Sequence, residues 1–177
     1  TSLLPKVISE NGGEPIMSRT GHSFIKQKLK ETKAELAGEM SGHIFFKERW
    51  YGFDDALYTA ARLLEIVSKS NKSCSEIFDE FPVNLSTPEI NINFEKHGQQ
   101  FEAMAKLSTN INFPGATINT IDGVRVDYEN CWGLVRASNT TPCLVLRFEA
   151  FDNELLNKIK AKFIQWLEIN SISTGSL

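Results

Sequence analysis

Residues 116–128 read ATINTIDGVRVDY, and this stretch decides the fold of the second half of the chain. Apolar and polar residues alternate on both sides of Asp122-Gly123, as in two half-buried strands. An Asp-Gly pair between such runs predicts a hairpin, because both residues tolerate positive φ. Working outward, Trp132 to Arg136 and Leu144 to Phe148 read as two further strands. Ile90 and Ile92 alternate with Asn91 and Asn93 as another. Gln99 to Leu107 reads as a helix. Asp152 caps a last one, with Leu155, Leu156, Ile159, Phe163 and Leu167 on one face and Glu154 placed four residues before Lys158. The expected product is an α+β domain, an antiparallel sheet covered by two helices. Asn170 to Leu177 is polar and is expected to fray.

Upstream, Pro82 to Pro88 holds two prolines, Asn84 and Ser86, and marks a domain boundary between residues 1–82 and 83–177. The first half alternates helices and strands, which predicts an α/β layer structure. Leu3 to Glu10 reads as a helix opened by Thr1 or Ser2 and closed by Asn11-Gly12-Gly13. Pro15 to Ser18 is a strand candidate. Phe24 to Thr32 is helical. Glu35 to Gly38 and Ile44 to Phe46 have strand length. Asp54 is placed to cap a helix carrying Leu57, Ala60, Ala61, Leu64 and Val67, and Cys74 to Glu80 is a short helix. No internal repeat is present.

The chain has 177 residues and a net charge of −3, so no broad basic surface for nucleic acid follows. Its apolar runs are too short to span a bilayer, and TSLLPKVIS at residues 1–9 has no secretory pattern. Cys74, Cys131 and Cys143 form neither a zinc spacing nor a disulfide framework, and read as buried or half-buried thiols of a cytoplasmic protein. No His/Cys/carboxylate cluster has metal spacing.

Two loops carry chemistry. Gly38-Glu39-Met40-Ser41-Gly42-His43 packs a carboxylate, a hydroxyl and an imidazole into five residues. A carboxylate accepts two sugar hydroxyls well, and an imidazole can move a proton or donate to a phosphate. The alternative is a structural turn with a surface Glu and His. Arg136-Ala137-Ser138-Asn139-Thr140-Thr141-Pro142 offers a planar guanidinium, short donors and loop N–H groups that suit an anion. Its alternative is a polar hairpin loop with an outward Arg. No glycine-rich nucleotide loop is present. His22 opens a helix after Thr20-Gly21, a place that favours anions, although a lone His there is more often a cap or solvated. Lys47 to Tyr51 reads as a surface turn with two half-buried rings, and His97 as solvated.

The strings GEMSGHIFFKERWYGFDDALYTAARLLEI and RASNTTPCLVLRFEA closely resemble the α-D-phosphohexomutases, within them the bacterial phosphomannomutase/phosphoglucomutase group. The first string resembles that family's sugar-binding loop in its third domain, the second its phosphate-binding loop in its fourth. The resemblance covers essentially the whole chain. It implies a four-domain enzyme that interconverts hexose 1-phosphate and 6-phosphate through a bisphosphorylated sugar, hexose 1,6-bisphosphate. A phosphoserine in the first domain and a Mg²⁺ loop in the second are implied too. Neither motif stands in these 177 residues. The chain is therefore expected to be a C-terminal piece, inactive alone, that starts just after the first strand of domain three. That domain would be a mixed sheet with helices on both faces, and domain four would be TBP-like.

By the resemblance, Glu39 and Ser41 match the pair that holds the sugar hydroxyls, and His43 a histidine that assists proton transfer. His22 matches a substrate-binding histidine. Arg136, Ser138, Asn139 and Thr140 match the clamp on the non-transferring phosphate. The implied partners are a phosphosugar and the missing first and second domains, with no nucleic acid and no membrane. The competing expectation is a free-standing phosphosugar-binding module.

Overall fold

In chain order the elements are α1 (Leu3–Glu10), α2 (His22–Thr32), β1 (Leu36–Gly38), β2 (Ile44–Phe46), α3 (Ala56–Lys69) and α4 (Cys74–Phe78). They continue with β3 (Leu85–Ser86), β4 (Ile90–Asn93), α5 (Gln99–Thr109), β5 (Thr117–Asn119), β6 (Val124–Tyr128), β7 (Cys131–Ala137), β8 (Cys143–Ala150) and α6 (Asn153–Ile169). The structure is a computed structural model and describes residues 1–175. It divides into two compact units, residues 16–82 and the chain from Val83 on together with Thr1–Pro15.

The larger unit is an antiparallel sheet in the order β3-β8-β7-β6-β5, with β4 also paired to β8. β8 is the central strand, so most of its side chains are buried. Val124, Val126, Val135, Leu144, Leu146 and Phe148 of the sheet meet Met104 and Leu107 of α5 and Ile159, Phe163, Trp166 and Leu167 of α6. Gly133 makes room for this contact. A Cβ there would stand 2.5 Å from the Phe163 ring and 2.9 Å from that of Phe148. Asp152 caps α6, accepting from the Leu155 N–H at 2.8 Å, and Lys158 pairs with Glu154 at 2.6 Å.

The expected hairpin forms, but its turn is wider than an Asp-Gly pair alone. The last register pair is Asn119↔Arg125, and the Asn119 carboxamide oxygen accepts from the Ile121 N–H at 2.9 Å. That Asx contact starts the turn early. Gly123 has φ 80°, and a Cβ on it would stand 2.2 Å from the Val135 carbonyl oxygen. The turn therefore lies on β7 beside Arg136.

One expectation fails in this unit. The tail does not fray at Asn170. That residue is 3% exposed, donates to the Trp166 carbonyl at 2.8 Å, and its own carbonyl accepts from Lys106 at 2.6 Å. Ile172 joins the core, while Ser176 and Leu177 lie outside the described residues. By compactness Thr1–Pro15, with α1, groups with the chain from Val83 on, and Ser2 reaches the end of β8 at Glu149. The Glu149 carboxylate accepts from the Ser2 N–H at 3.0 Å, the Ser2 hydroxyl at 2.8 Å and the Asn84 carboxamide at 3.2 Å. Burial opposes its charge, but the hydrogen bonds from Ser2, Thr1 and Asn84 outweigh that and hold its pKa down to about 2.

In the smaller unit β1 and β2 pair antiparallel, Leu36↔Phe46. Ile25 and Leu29 of α2 bury against Phe45, with Ala34 and Ala37 alongside. α3 covers β2, where Arg62 lies over the Phe46 ring at 4.6 Å. Pro15 to Ser18 is not a strand in this structure. The cap of α3 is Asp55, which accepts from the Tyr58 N–H at 2.9 Å, not Asp54. Trp50 stacks on Tyr58 at 4.3 Å, but Tyr51 is 74% exposed rather than half-buried. Cys74 is likewise exposed. Both units are of α/β type, and among the described residues no helix is long and apolar enough to cross a membrane.

Candidate functional site

The smaller unit presents its polar residues on a tight turn. β1 ends at Gly38 and β2 begins at Ile44. Between them the Glu39 N–H donates to the His43 carbonyl at 2.9 Å and the Gly42 N–H to the Glu39 carbonyl at 3.0 Å. Gly42 sits at φ 91°, a conformation open mainly to glycine. Ser41 is exposed at the tip of this turn.

The Glu39 side chain leaves the turn and accepts the Gly21 N–H at 2.8 Å. Gly21, at φ 123°, is the residue before α2. This bond therefore ties the Thr20-Gly21-His22 segment to the Glu39–His43 turn and brings His22 beside His43. The two rings meet edge-on at 4.6 Å, and His22 rests edge-on against buried Phe45 at 5.4 Å.

Asp54, which the sequence reading assigned to a cap, joins them. Its Oδ2 lies 2.6 Å from His43 Nδ1 and 3.5 Å from His22 Nε2. A bridge to Phe45 fixes the Asp54 backbone. The three donor atoms lie within 4.8 Å of one another. Sequence spacing gives no sign of this group, because positions 22, 43 and 54 come from three separate segments. Both imidazoles keep 45% of their side-chain surface exposed and Asp54 keeps 25%. Reagents in solution can reach them.

The larger unit presents the second loop between β7 and β8. Arg136 is half-buried on β7, opposite Val145. Among the described residues it enters no ion pair, whereas Arg125 on the neighbouring strand is taken by Asp127 at 2.7 Å and lies over Trp132 at 4.0 Å. Beyond Arg136 the chain folds onto Ser138, which is 7% exposed. The Ser138 hydroxyl meets the Thr141 hydroxyl at 2.8 Å and accepts the N–H groups of Thr140 and Thr141 at 3.4 and 3.2 Å. In this conformation those N–H groups turn inward, toward Ser138. Asn139, Thr140 and Thr141 have exposed side chains.

Gln100 holds this loop from beneath. It is fully buried on α5, donating to the Ser138 and Thr141 carbonyls at 3.3 and 3.4 Å and accepting from the Gly98 N–H at 2.8 Å. The sequence reading missed it. Its signal was a polar residue in the stripe shared with Met104 and Leu107. His97 is exposed, as expected, with its ring against Phe101.

Comparison with known proteins adds three findings. The family described as phosphoglucomutase/phosphomannomutase, alpha/beta/alpha domain III, matches residues 1–84, and the C-terminal domain of the same family matches residues 89–165. A phosphomannomutase/phosphoglucomutase of Pseudomonas putida is 56% identical over 92% of this chain, and a phosphoglucomutase of Neisseria gonorrhoeae is 52% identical over 96% of it. The chain spans 35% and 37% of those two relatives. A crystal structure of a phosphoglucomutase/phosphomannomutase family protein from Burkholderia thailandensis superposes with a TM-score of 0.88 at 46% identity, covering 97% of this chain and 36% of that one.

Proposed function

The chain belongs to the phosphoglucomutase/phosphomannomutase family, and we propose that it is the substrate-binding part of a mutase that interconverts hexose 1-phosphate and hexose 6-phosphate through a hexose 1,6-bisphosphate. The observation that carries this reading is the Glu39–His43 turn, which ties the Glu39 carboxylate to the segment before His22, sets His22 against His43, and leaves Ser41 exposed at its tip. Glu39 and Ser41 hold sugar hydroxyls there. His22 adds a donor for the substrate. His43 takes the proton of the hydroxyl that receives the phosphoryl group, which becomes an imidazolium hydrogen. In the other unit, Arg136 grips the phosphate that is not transferred, with Ser138, Asn139 and Thr140 adding short donors. Fixing the remote phosphate orients the sugar for the transfer.

The phosphoserine and the Mg²⁺ of the full-length enzyme come from its other two domains. Mg²⁺ selects oxygen ligands, and the His22, His43 and Asp54 donors do not fit it. The 177-residue chain by itself is then inactive. A cytoplasmic setting suits Cys74, Cys131 and Cys143, which are free thiols.

The test is a titration of the ¹⁵N-labelled 177-residue protein with glucose 1-phosphate, mannose 6-phosphate and inorganic phosphate, followed by amide shifts. Shifts at residues 136–141 that persist with phosphate alone are expected. Arg136→Ala should weaken sugar-phosphate binding roughly 10- to 100-fold, the loss of a charged bidentate contact of about 1.5–3 kcal/mol. Binding unchanged by that substitution overturns the clamp. Interconversion by this chain alone at an enzymatic rate overturns its inactivity, and sugar-phosphate binding without activity in the full-length protein favours a binding module.

A further inference from the structure

We propose that Asp54 is the positioning residue for His43: its carboxylate holds the imidazole as the Nδ1–H tautomer and leaves Nε2 as the nitrogen that takes the substrate proton. The inference rests on the reading of His43 as the proton-transfer group. A neutral imidazole carries one N–H and one lone pair, and a carboxylate only accepts. At 2.6 Å from Asp54 Oδ2, His43 Nδ1 is therefore the protonated nitrogen, and Nε2 presents the lone pair. When Nε2 takes a proton, the same carboxylate balances the imidazolium it creates, the arrangement by which a carboxylate orients a catalytic histidine on unrelated folds.

The fold anchors this carboxylate on both sides. The Asp54 backbone bridges Phe45, which is fully buried, and the Asp55 N–H donates to the Ile44 carbonyl at 3.4 Å. The next side chain, Asp55, is committed to the α3 cap. Of two adjacent aspartates, one thus secures the helix and the other is free to face the imidazole. His22 packs edge-on against His43, which restricts reorientation of that ring.

The rival use of these three groups is a tetrahedral cation site. Two ligands on such an ion stand about 3.3 Å apart, given metal–ligand bonds near 2 Å. The observed 2.6 Å is a hydrogen-bond separation instead.

The decisive measurement is a long-range ¹H–¹⁵N correlation spectrum of the histidine-labelled 177-residue protein. A pyrrole-type Nδ1 and a pyridine-type Nε2 at His43 are expected, with Asp54→Asn turning this into a mixture of tautomers. The opposite tautomer in the unsubstituted protein overturns the proposal even if Asp54→Asn does not fold. A Zn²⁺ titration that moves His22 and His43 together at micromolar metal, and fails to do so in Asp54→Asn, also overturns it in favour of a cation site. In the full-length mutase, Asp54→Asn should lower kcat roughly tenfold or more and have no further effect when added to His43→Ala. A slow His43→Ala beside an unaffected Asp54→Asn sinks the role of Asp54 alone. An unaffected His43→Ala sinks the reading of His43 itself, and the tautomer spectrum still decides what Asp54 does.

Discussion

Glu39–His43 and Ser138–Pro142 are both short connections between antiparallel strands, yet they are secured by different means. The first rests on a small cluster, Ile25, Leu29 and Phe45, and takes its shape from side chains that reach other segments: Glu39 to Gly21, His43 to Asp54. The second closes two strands of a large core and takes its shape from within, through Ser138, and from a buried carboxamide beneath it. The difference suits the roles proposed for them. A phosphate clamp needs a stiff platform, whereas groups that bind hydroxyls and move a proton need solvent-accessible side chains with fixed orientation.

Three substitutions test that contrast. The largest effect belongs to the platform. Phe163→Ala should lower the stability of the larger unit by about 3–5 kcal/mol, since the ring is fully buried among Phe113, Phe148 and Trp166. Denaturant unfolding followed by Trp166 fluorescence measures it, and a loss below about 1 kcal/mol would show a looser core than the geometry describes.

Next comes the support beneath the loop. Gln100→Ala strands the Gly98 N–H and removes a donor from the Ser138 carbonyl, while the Thr141 carbonyl keeps the Cys143 N–H. The substitution should cost about 1–3 kcal/mol. Its sharper signature is weaker phosphate binding with Arg136 intact. Undiminished phosphate affinity would mean that the loop shapes itself without Gln100. The smallest effect is at the α3 cap. Asp55→Ala should cost about 1 kcal/mol in thermal or denaturant unfolding. An equal loss from Asp54→Ala would show that the two aspartates share the cap.

Much of the larger unit was legible in advance. Strands β4, β6, β7 and β8 and helices α5 and α6 follow from period-2 and period-3.6 patterns, because each buries one face on a single core. Ser138 through Pro142 was legible as a polar loop for the same reason, the flanking strands fixing where it had to be, although β7 runs on through Arg136 and Ala137. Less was legible where a contact joins distant segments. Nothing local distinguishes Asp54 from Asp55 as the cap, since either carboxylate precedes the first free N–H groups of α3. Only the bridge between Phe45 and Asp54 settles which one turns toward the histidines. Similarly, Gln100 reads as an ordinary helix residue until the loop is seen resting on it.

The sequence by itself determined the two unit types, most strand and helix positions, and which short loops carry carboxylate, imidazole and guanidinium groups. These are consequences of side-chain period and local capping, which act within a few residues. The tertiary structure decided the company those groups keep. It ties Thr1–Pro15 to β8 through Glu149, buries Ile172 where a frayed tail was expected, and sets His22, His43 and Asp54 around one carboxylate oxygen. Hydrogen bonds and packing between residues far apart in the chain depend on the path of the folded backbone, and no local pattern encodes that path.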